Sequence, residues 1–167
     1  MIWRSQPGVT CCSCVIITFL LFSGCSVGKR TSSRNSKINK TVATARSYIG
    51  TPYQWGGNTA QGIDCSGLIF KSYQSVGIKL PRTAKDQSKL GRRVKINKLE
   101  PGDLLFFAAK KGKKKGKGKI THVGLVTEKK GAKDLQFIHA SSSKGVVERN
   151  LFTPYYLKIF VRARRPF

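Results

Sequence analysis

IGTPYQWGGNTAQGIDCSG, residues 49–67, carries the chain through a glycine-rich, turn-forming run into an aspartate and a cysteine. Beyond it the segment Cys65 to Val76 is apolar-periodic. Leu68, Ile69, Ser72, Tyr73 and Val76 recur at the i, i+3/i+4 spacing of a helix with one buried face. Asp64 stands where an N-cap belongs, which puts Cys65 in the first turn. A thiol there feels the positive end of the helix dipole and nearby unpaired amide donors, and both favour the thiolate. A small buried core thiol is the plainer use of a lone cysteine, and position alone leaves both readings open.

The inventory of reactive side chains narrows the choice. Of five cysteines, Cys11, Cys12, Cys14 and Cys25 lie in or at the edge of an N-terminal apolar segment, so Cys65 stands alone in the remainder. Two histidines occur, each in a strand-like segment. His122 falls in Ile120–Thr127 (ITHVGLVT), on the side of Ile120, Gly124 and Val126, and His139 falls in Leu135–Ala140 (LQFIHA), on the side of Leu135 and Phe137. Either histidine by itself is more simply a satisfied core residue. A helix-start cysteine with two strand histidines offers a nucleophile, a base and an orienting group. Zinc is the competing use of such residues. Three candidate ligands without a CxxC or HExxH pairing argue against a structural zinc site.

The motifs GTPYQWGG, DCSG, LPRT, LEPGDLLFF, HVGLV and FIHAS follow one another between Ile38 and Arg165. In that order they resemble the NlpC-type family of bacterial cell-wall cysteine peptidases. The resemblance implies a papain-like α+β domain over residues 38–167, with the cysteine helix packed on an antiparallel sheet that carries the histidines. It further implies Cys65 as nucleophile, His122 as general base, His139 as the polar third member, and Tyr53 beside the thiol as an oxyanion or substrate contact. The implied substrate is an amide of peptidoglycan stem peptides or cross-links, with no metal and no organic cofactor. Relatives that trim peptides with a free N-terminal L-alanine often carry Asp-Ser after the LPR segment. Here Thr83-Ala84 stands there, which favours action on intact or cross-linked wall.

Residues Met1 to Gly24 read as an export signal. Arg4 precedes the apolar run Cys14–Phe22, which is too short to span a bilayer well. Phe22-Ser23-Gly24-Cys25 resembles a lipobox, which implies lipidation at Cys25 and tethering to the bacterial envelope membrane. With Ser26 next, the sorting expected in a Gram-negative envelope is to the outer membrane. In an oxidising compartment structural cysteines come in pairs. A lone Cys65 retained there fits a reactive thiol better than a core one. Ser26 to Lys37 (SVGKRTSSRNSK) lacks a hydrophobic period and reads as a flexible tether, reaching at most ~40 Å.

A coarse reading of the remainder gives a first helix over 38–49 with Val42, Ala45 and Ile49 inward, the Cys65 helix, and a short helix over Thr83–Leu90. Strands follow around Val94–Ile96, Leu104–Ala109, Ile120–Thr127, Leu135–Ala140, Val146–Arg149 and Lys158–Arg164. Helices first and strands after describe an α+β domain.

The formal net charge is +25, from 32 basic and seven acidic residues. Such an excess attracts polyanions. Anionic envelope polymers are the partners expected of an exported protein, and nucleic acid is not, since no nucleic-acid-binding motif accompanies the charge. The run KKGKKKGKGK, residues 110–119, reads as a mobile hairpin tip two residues short of His122. Two other functions fit the same residues. One is a non-catalytic basic binder of envelope polymers; the other is an acyltransferase using Cys65 to pass on an acyl group.

Overall fold

The computed structural model describes residues 1–2, 27–108 and 118–166. Residues 3–24 of the stretch read as an export signal, Cys25 and most of the lysine run lie outside them.

Helix α1 (Val27–Arg46) buries Ile38, Val42 and Ala45, an i, i+4, i+7 stripe. It begins eleven residues before the expected start, so most of the segment read as a tether is helical. No proline interrupts Val27–Arg46, the Thr41 hydroxyl donates to the Lys37 carbonyl at 2.8 Å, and Arg34 lies 3.6 Å from Glu100. The polar stretch is thus carried along by the helix that the buried stripe nucleates. The chain leaves α1 in turns after Arg46, and Ile49, expected inward, is 53% exposed.

A two-stranded hairpin, β1 (Asn58–Thr59) with β2 (Gly62–Ile63), folds the glycine-rich run back on itself ahead of α2 (Cys65–Gln74). It had no periodic signature, being only two residues a side. The short α3 (Ala84–Gln87) is capped by the Thr83 hydroxyl, which accepts from the Asp86 amide. It covers about half of the Thr83–Leu90 segment.

The sheet consists of β3 (Arg92–Val94), β4 (Leu104–Phe107), β5 (His122–Lys129), β6 (Leu135–Ser141), β7 (Gly145–Asn150) and β8 (Phe160–Arg165), in the order β3-β8-β4-β5-β6-β7 and antiparallel throughout. Ile96–Lys98, partly assigned to a strand from sequence, is a single 3-10 turn. The expected strand from Lys158 is preceded and shortened by α4 (Pro154–Ile159), which starts with proline at its first position.

Both faces of the sheet are covered, which explains the uninterrupted Leu104-Leu105-Phe106-Phe107 run. Leu104 and Phe106 face α1 and α2, with Val123, Leu125 and Ile138. Leu105 and Phe107 face the other way, against Val126, Phe137 and, from α4, Tyr156 and Ile159. At the far end of β8, the Arg165 Nε and Nη2 donate to the two oxygens of fully buried Asp103 at 2.6 and 2.8 Å. Asp103 also accepts from the Glu100 amide at 2.9 Å, so the Pro101-Gly102 turn is fastened to the C-terminal strand.

Candidate active site

One wall of the site is the start of α2. Asp64 caps the helix by accepting from the Gly67 amide at 2.6 Å, and its other oxygen accepts from the Gly56 amide at 2.9 Å. Arg82 closes on the same carboxylate, Nη1 to Oδ1 and Nη2 to Oδ2, both at 2.8 Å, and also donates to Ser66 Oγ and the Gly57 carbonyl. Burial alone would raise the Asp64 carboxyl. The bonds from Arg82 and Gly67 outweigh it and hold the group below the usual carboxylate range. Gln87 of α3 donates to the Ser66 carbonyl at 3.0 Å and ties the segment after Pro81 to the same turn. A Cβ on Gly67 would collide with the Gly57 carbonyl oxygen, so the glycine lets the helix start lie against the turn before it.

Cys65 sits in this frame, 7% exposed. Burial pushes its thiol up to about 11. The Val123 amide pulls it down, the Asp64 charge pushes it up, and the amides of Ser66 and Cys65 itself lower it further. The amide donors expected at the helix start thus act on the thiol, and burial acts against them. The amide donors are present, but desolvation is the larger effect. Tyr53 is bridged to Ile63 at its backbone, and its hydroxyl is held protonated by burial and by the nearness of Cys65 and Asp64.

The opposite wall is the sheet. Pairing of Phe107 with His122 and of His139 with Val147 sets the two histidines on neighbouring strands. His122 Nε2 lies 2.8 Å from His139 Nδ1, with the rings edge to face at 4.9 Å and 89°. His139 Nε2 lies 3.0 Å from the Tyr156 hydroxyl of α4. Phe137 stacks beneath His139 at 5.2 Å and 24°. A Cβ on Gly124 would approach the Phe137 ring to 2.5 Å, which explains the glycine in the HVG motif. Burial lowers His122 to about 4. His139 falls to about 3 through burial, helped by the charges of His122 and Arg149.

The ring-nitrogen contacts constrain the chemistry. With Nε2 committed to His139, Nδ1 is the nitrogen of His122 left to take a proton from a thiol. In neutral His122 that requires the hydrogen on Nε2, donated to His139 Nδ1, and then the hydrogen of His139 on Nε2, donated to the Tyr156 oxygen. The relay His122–His139–Tyr156 satisfies this arrangement, with His122 Nε2 and both nitrogens of His139 partnered. Cys65 and His122 themselves are not hydrogen-bonded, and burial disfavours the charged form of each.

Two cavities of about 530 Å³ each flank these residues. One is lined by Cys65, Ser66, Arg82, Thr83 and the 86%-exposed Trp55, the other by His122, His139, Arg149 and Tyr156. Tyr53 and Thr121 line both, so a groove crosses the site between thiol and imidazole. The four residues singled out from sequence thus share one groove. Tyr156, Arg82, Gln87 and Trp55 were missed as site residues. Tyr156 follows Thr153-Pro154, a helix-start signal that could have drawn attention to it.

The family model described as the NlpC/P60 family matches residues 50–165. This chain belongs to the NlpC/P60 family, a family of cell-wall cysteine peptidases. It is 36% identical over 160 residues to the "Probable endopeptidase NlpC" of Escherichia coli K12, covering 90% of this chain and 96% of that one. To the same organism's "Murein DD-endopeptidase MepS/Murein LD-carboxypeptidase" it is 35% identical over 119 residues, 71% of this chain and 57% of that protein. A solved NlpC/P60 family protein from Bacillus cereus superposes with a TM-score of 0.67 at 33% identity, covering 77% of this chain and 39% of that one. The α+β architecture agrees with this membership.

Proposed function

We propose that this chain hydrolyses an amide bond in peptidoglycan stem peptides or their cross-links, through a Cys65 acyl-enzyme. The observation that carries the proposal is the groove itself. It has a thiol at a capped helix start on one wall and the hydrogen-bonded His122–His139–Tyr156 relay on the other.

Because burial disfavours both charged forms, attack is coupled to proton transfer. The Cys65 Sγ bonds to the amide carbonyl carbon as its proton passes to His122 Nδ1. The imidazolium then donates its Nδ1 proton to the leaving amine as the C–N bond breaks. Water, deprotonated by His122, attacks the thioester and releases the acid, returning the thiol. His139 accepts from His122 Nε2 throughout, so the imidazolium forms without rotation of the ring. The Cys65 amide and the Tyr53 hydroxyl are the donors assigned to the oxyanion. Thr83 in place of an amine-binding acid, and the likeness to a murein DD-endopeptidase, support glycan-attached or cross-linked stems as substrate. The lipobox-like Phe22–Cys25 supports membrane anchoring through lipid on Cys25.

Digestion of purified sacculi with mass identification of released muropeptides tests the reading. Wild type releases fragments, and Cys65→Ser falls by at least ~10³-fold with an unchanged circular dichroism spectrum. Fragment release by Cys65→Ser at the wild-type rate would remove Cys65 as the nucleophile, and binding of sacculi by wild type without any fragment release would leave the basic binder.

A further inference from the structure

The direction of the substrate in the groove follows from the chemistry. The acyl half stays on sulfur and so lies toward Cys65. The amine half must receive its proton from His122, so it lies toward the histidines. The cavity lined by His122, His139 and Tyr156 therefore takes the leaving half.

That cavity is cationic and has no aspartate or glutamate in its lining. Arg149 lines it from β7, where the register pairs it with Phe137, one same-face position beyond the Val147–His139 pair. Its neighbour Glu148 faces the other side of the strand and bonds the Arg46 Nε at 2.8 Å, so it leaves Arg149 without its charge partner. Among the described residues no carboxylate pairs with Arg149. It donates a bond from Nη1 to the Glu148 carbonyl at 3.1 Å. Its charge reaches the relay, since it helps to lower His139 and opposes the upward push of burial on Tyr156. The exposed Lys144 adds a second cation at the rim.

We propose that this cavity is the leaving-group subsite and that Arg149 recognises a carboxylate on the amine-donating half of the substrate. A planar guanidinium with open donors, half-buried beside the proton donor, suits a carboxylate better than a neutral amide. The proposal rests on the peptidase reading above, and a carboxylate is what the diamino-acid side of a stem peptide presents when its acid groups are free.

The test uses two synthetic stem peptides. They differ only in whether the residue supplying the leaving amine carries a free carboxylate or its primary amide. Wild type favours the acid in kcat/KM by about tenfold or more, as for a charge-assisted bond. Arg149→Gln brings the ratio to near one, and Arg149→Lys retains part of it. A wild-type ratio near one, or a ratio unchanged in Arg149→Gln while hydrolysis proceeds, overturns the subsite and leaves the peptidase standing. Titration of the leaving-half peptide alone, acid against amide, followed by nuclear magnetic resonance, separates the two readings. Acid-selective binding lost in Arg149→Gln supports the subsite even where wild type cuts no peptide. Equal binding of acid and amide by wild type overturns it.

Discussion

The two walls of the groove fix their reactive groups by opposite electrostatic means. The cysteine wall is charged. Asp64 is ionised, capped on two backbone amides and gripped by Arg82 through two bonds. On the histidine wall the base is held by uncharged groups, two imidazoles and a phenol hydrogen-bonded in series and packed on Phe137. In the proposed mechanism the nucleophile must stay in place while its own charge changes, which a fixed ion pair one residue away supports. The proposed base must accept and return a proton, which partners able to donate or accept support. The walls should therefore fail differently when each is disturbed.

The largest effect is expected on the charged wall. Asp64→Asn keeps an acceptor for the Gly67 amide but leaves the Arg82 guanidinium without its counter-charge. Removing one partner of a buried pair is costly, although Arg82 is about one-third open to solvent. A loss of about 2–3 kcal/mol in urea unfolding is expected, together with most of the activity. Stability within 0.5 kcal/mol of wild type, roughly the scatter of a surface substitution, would show that the cap rather than the ion pair holds this wall.

Acid should separate the walls by pH. Folded His122 and His139 lie below their ordinary 6.5, so the unfolded chain binds more protons as the pH falls from 6.5 toward about 4. The stability of the histidine wall is whole above pH 6.5 and drains through that window, by about 3 kcal/mol for His122 alone. Asp64 is depressed, so its contribution is present above the unfolded carboxylate value of ~3.9 and is lost only as pH falls below it. Unfolding free energies measured between pH 7 and 4 should slope downward toward acid in wild type and less steeply in His139→Asn. Equal slopes in the two proteins would exclude His139 from the loss.

What could be read from the sequence follows the range over which each feature is encoded. The α2 stripe, the Asp64 cap and the strand alternation around His122 and His139 depend on neighbours within a few residues, and all appear in the structure apart from Val76, which lies past the end of α2. The α+β architecture followed from their order. The partners that arm the site come from far along the chain. Arg82 reaches Asp64 across 18 residues, Arg165 reaches Asp103 across 62, and Tyr156 meets His139 only because α4 folds back under β6. No local pattern records such pairings. The surroundings of the Cys65 thiol are likewise only half local. The helix start is visible in the sequence, whereas the Val123 amide that helps to lower the thiol comes from β5, more than fifty residues on.

The mildest expected effect tests whether the relay ends at His139 or extends to Tyr156. Tyr156→Phe keeps the ring and its edge contact with Phe137, 4.8 Å between centroids, and removes only the hydroxyl 3.0 Å from His139 Nε2. Without that acceptor, His139 loses its preference for the hydrogen on Nε2. The other tautomer, with the hydrogen on Nδ1, donates to His122 Nε2 and leaves the hydrogen of His122 on Nδ1, where it cannot accept the thiol proton. One neutral hydrogen bond is worth about 1 kcal/mol, so kcat should fall about threefold to fivefold with KM little changed. A purely packing role for Tyr156 would leave kcat at the wild-type value in the phenylalanine variant, because the packing surface is retained. A drop of 100-fold would go beyond tautomer bias and place the phenol in the proton path itself. Steady-state kinetics on the acid-bearing stem peptide distinguish these outcomes, and in His139→Asn the added Tyr156→Phe change should then have no further effect, because the nitrogen it orients is gone.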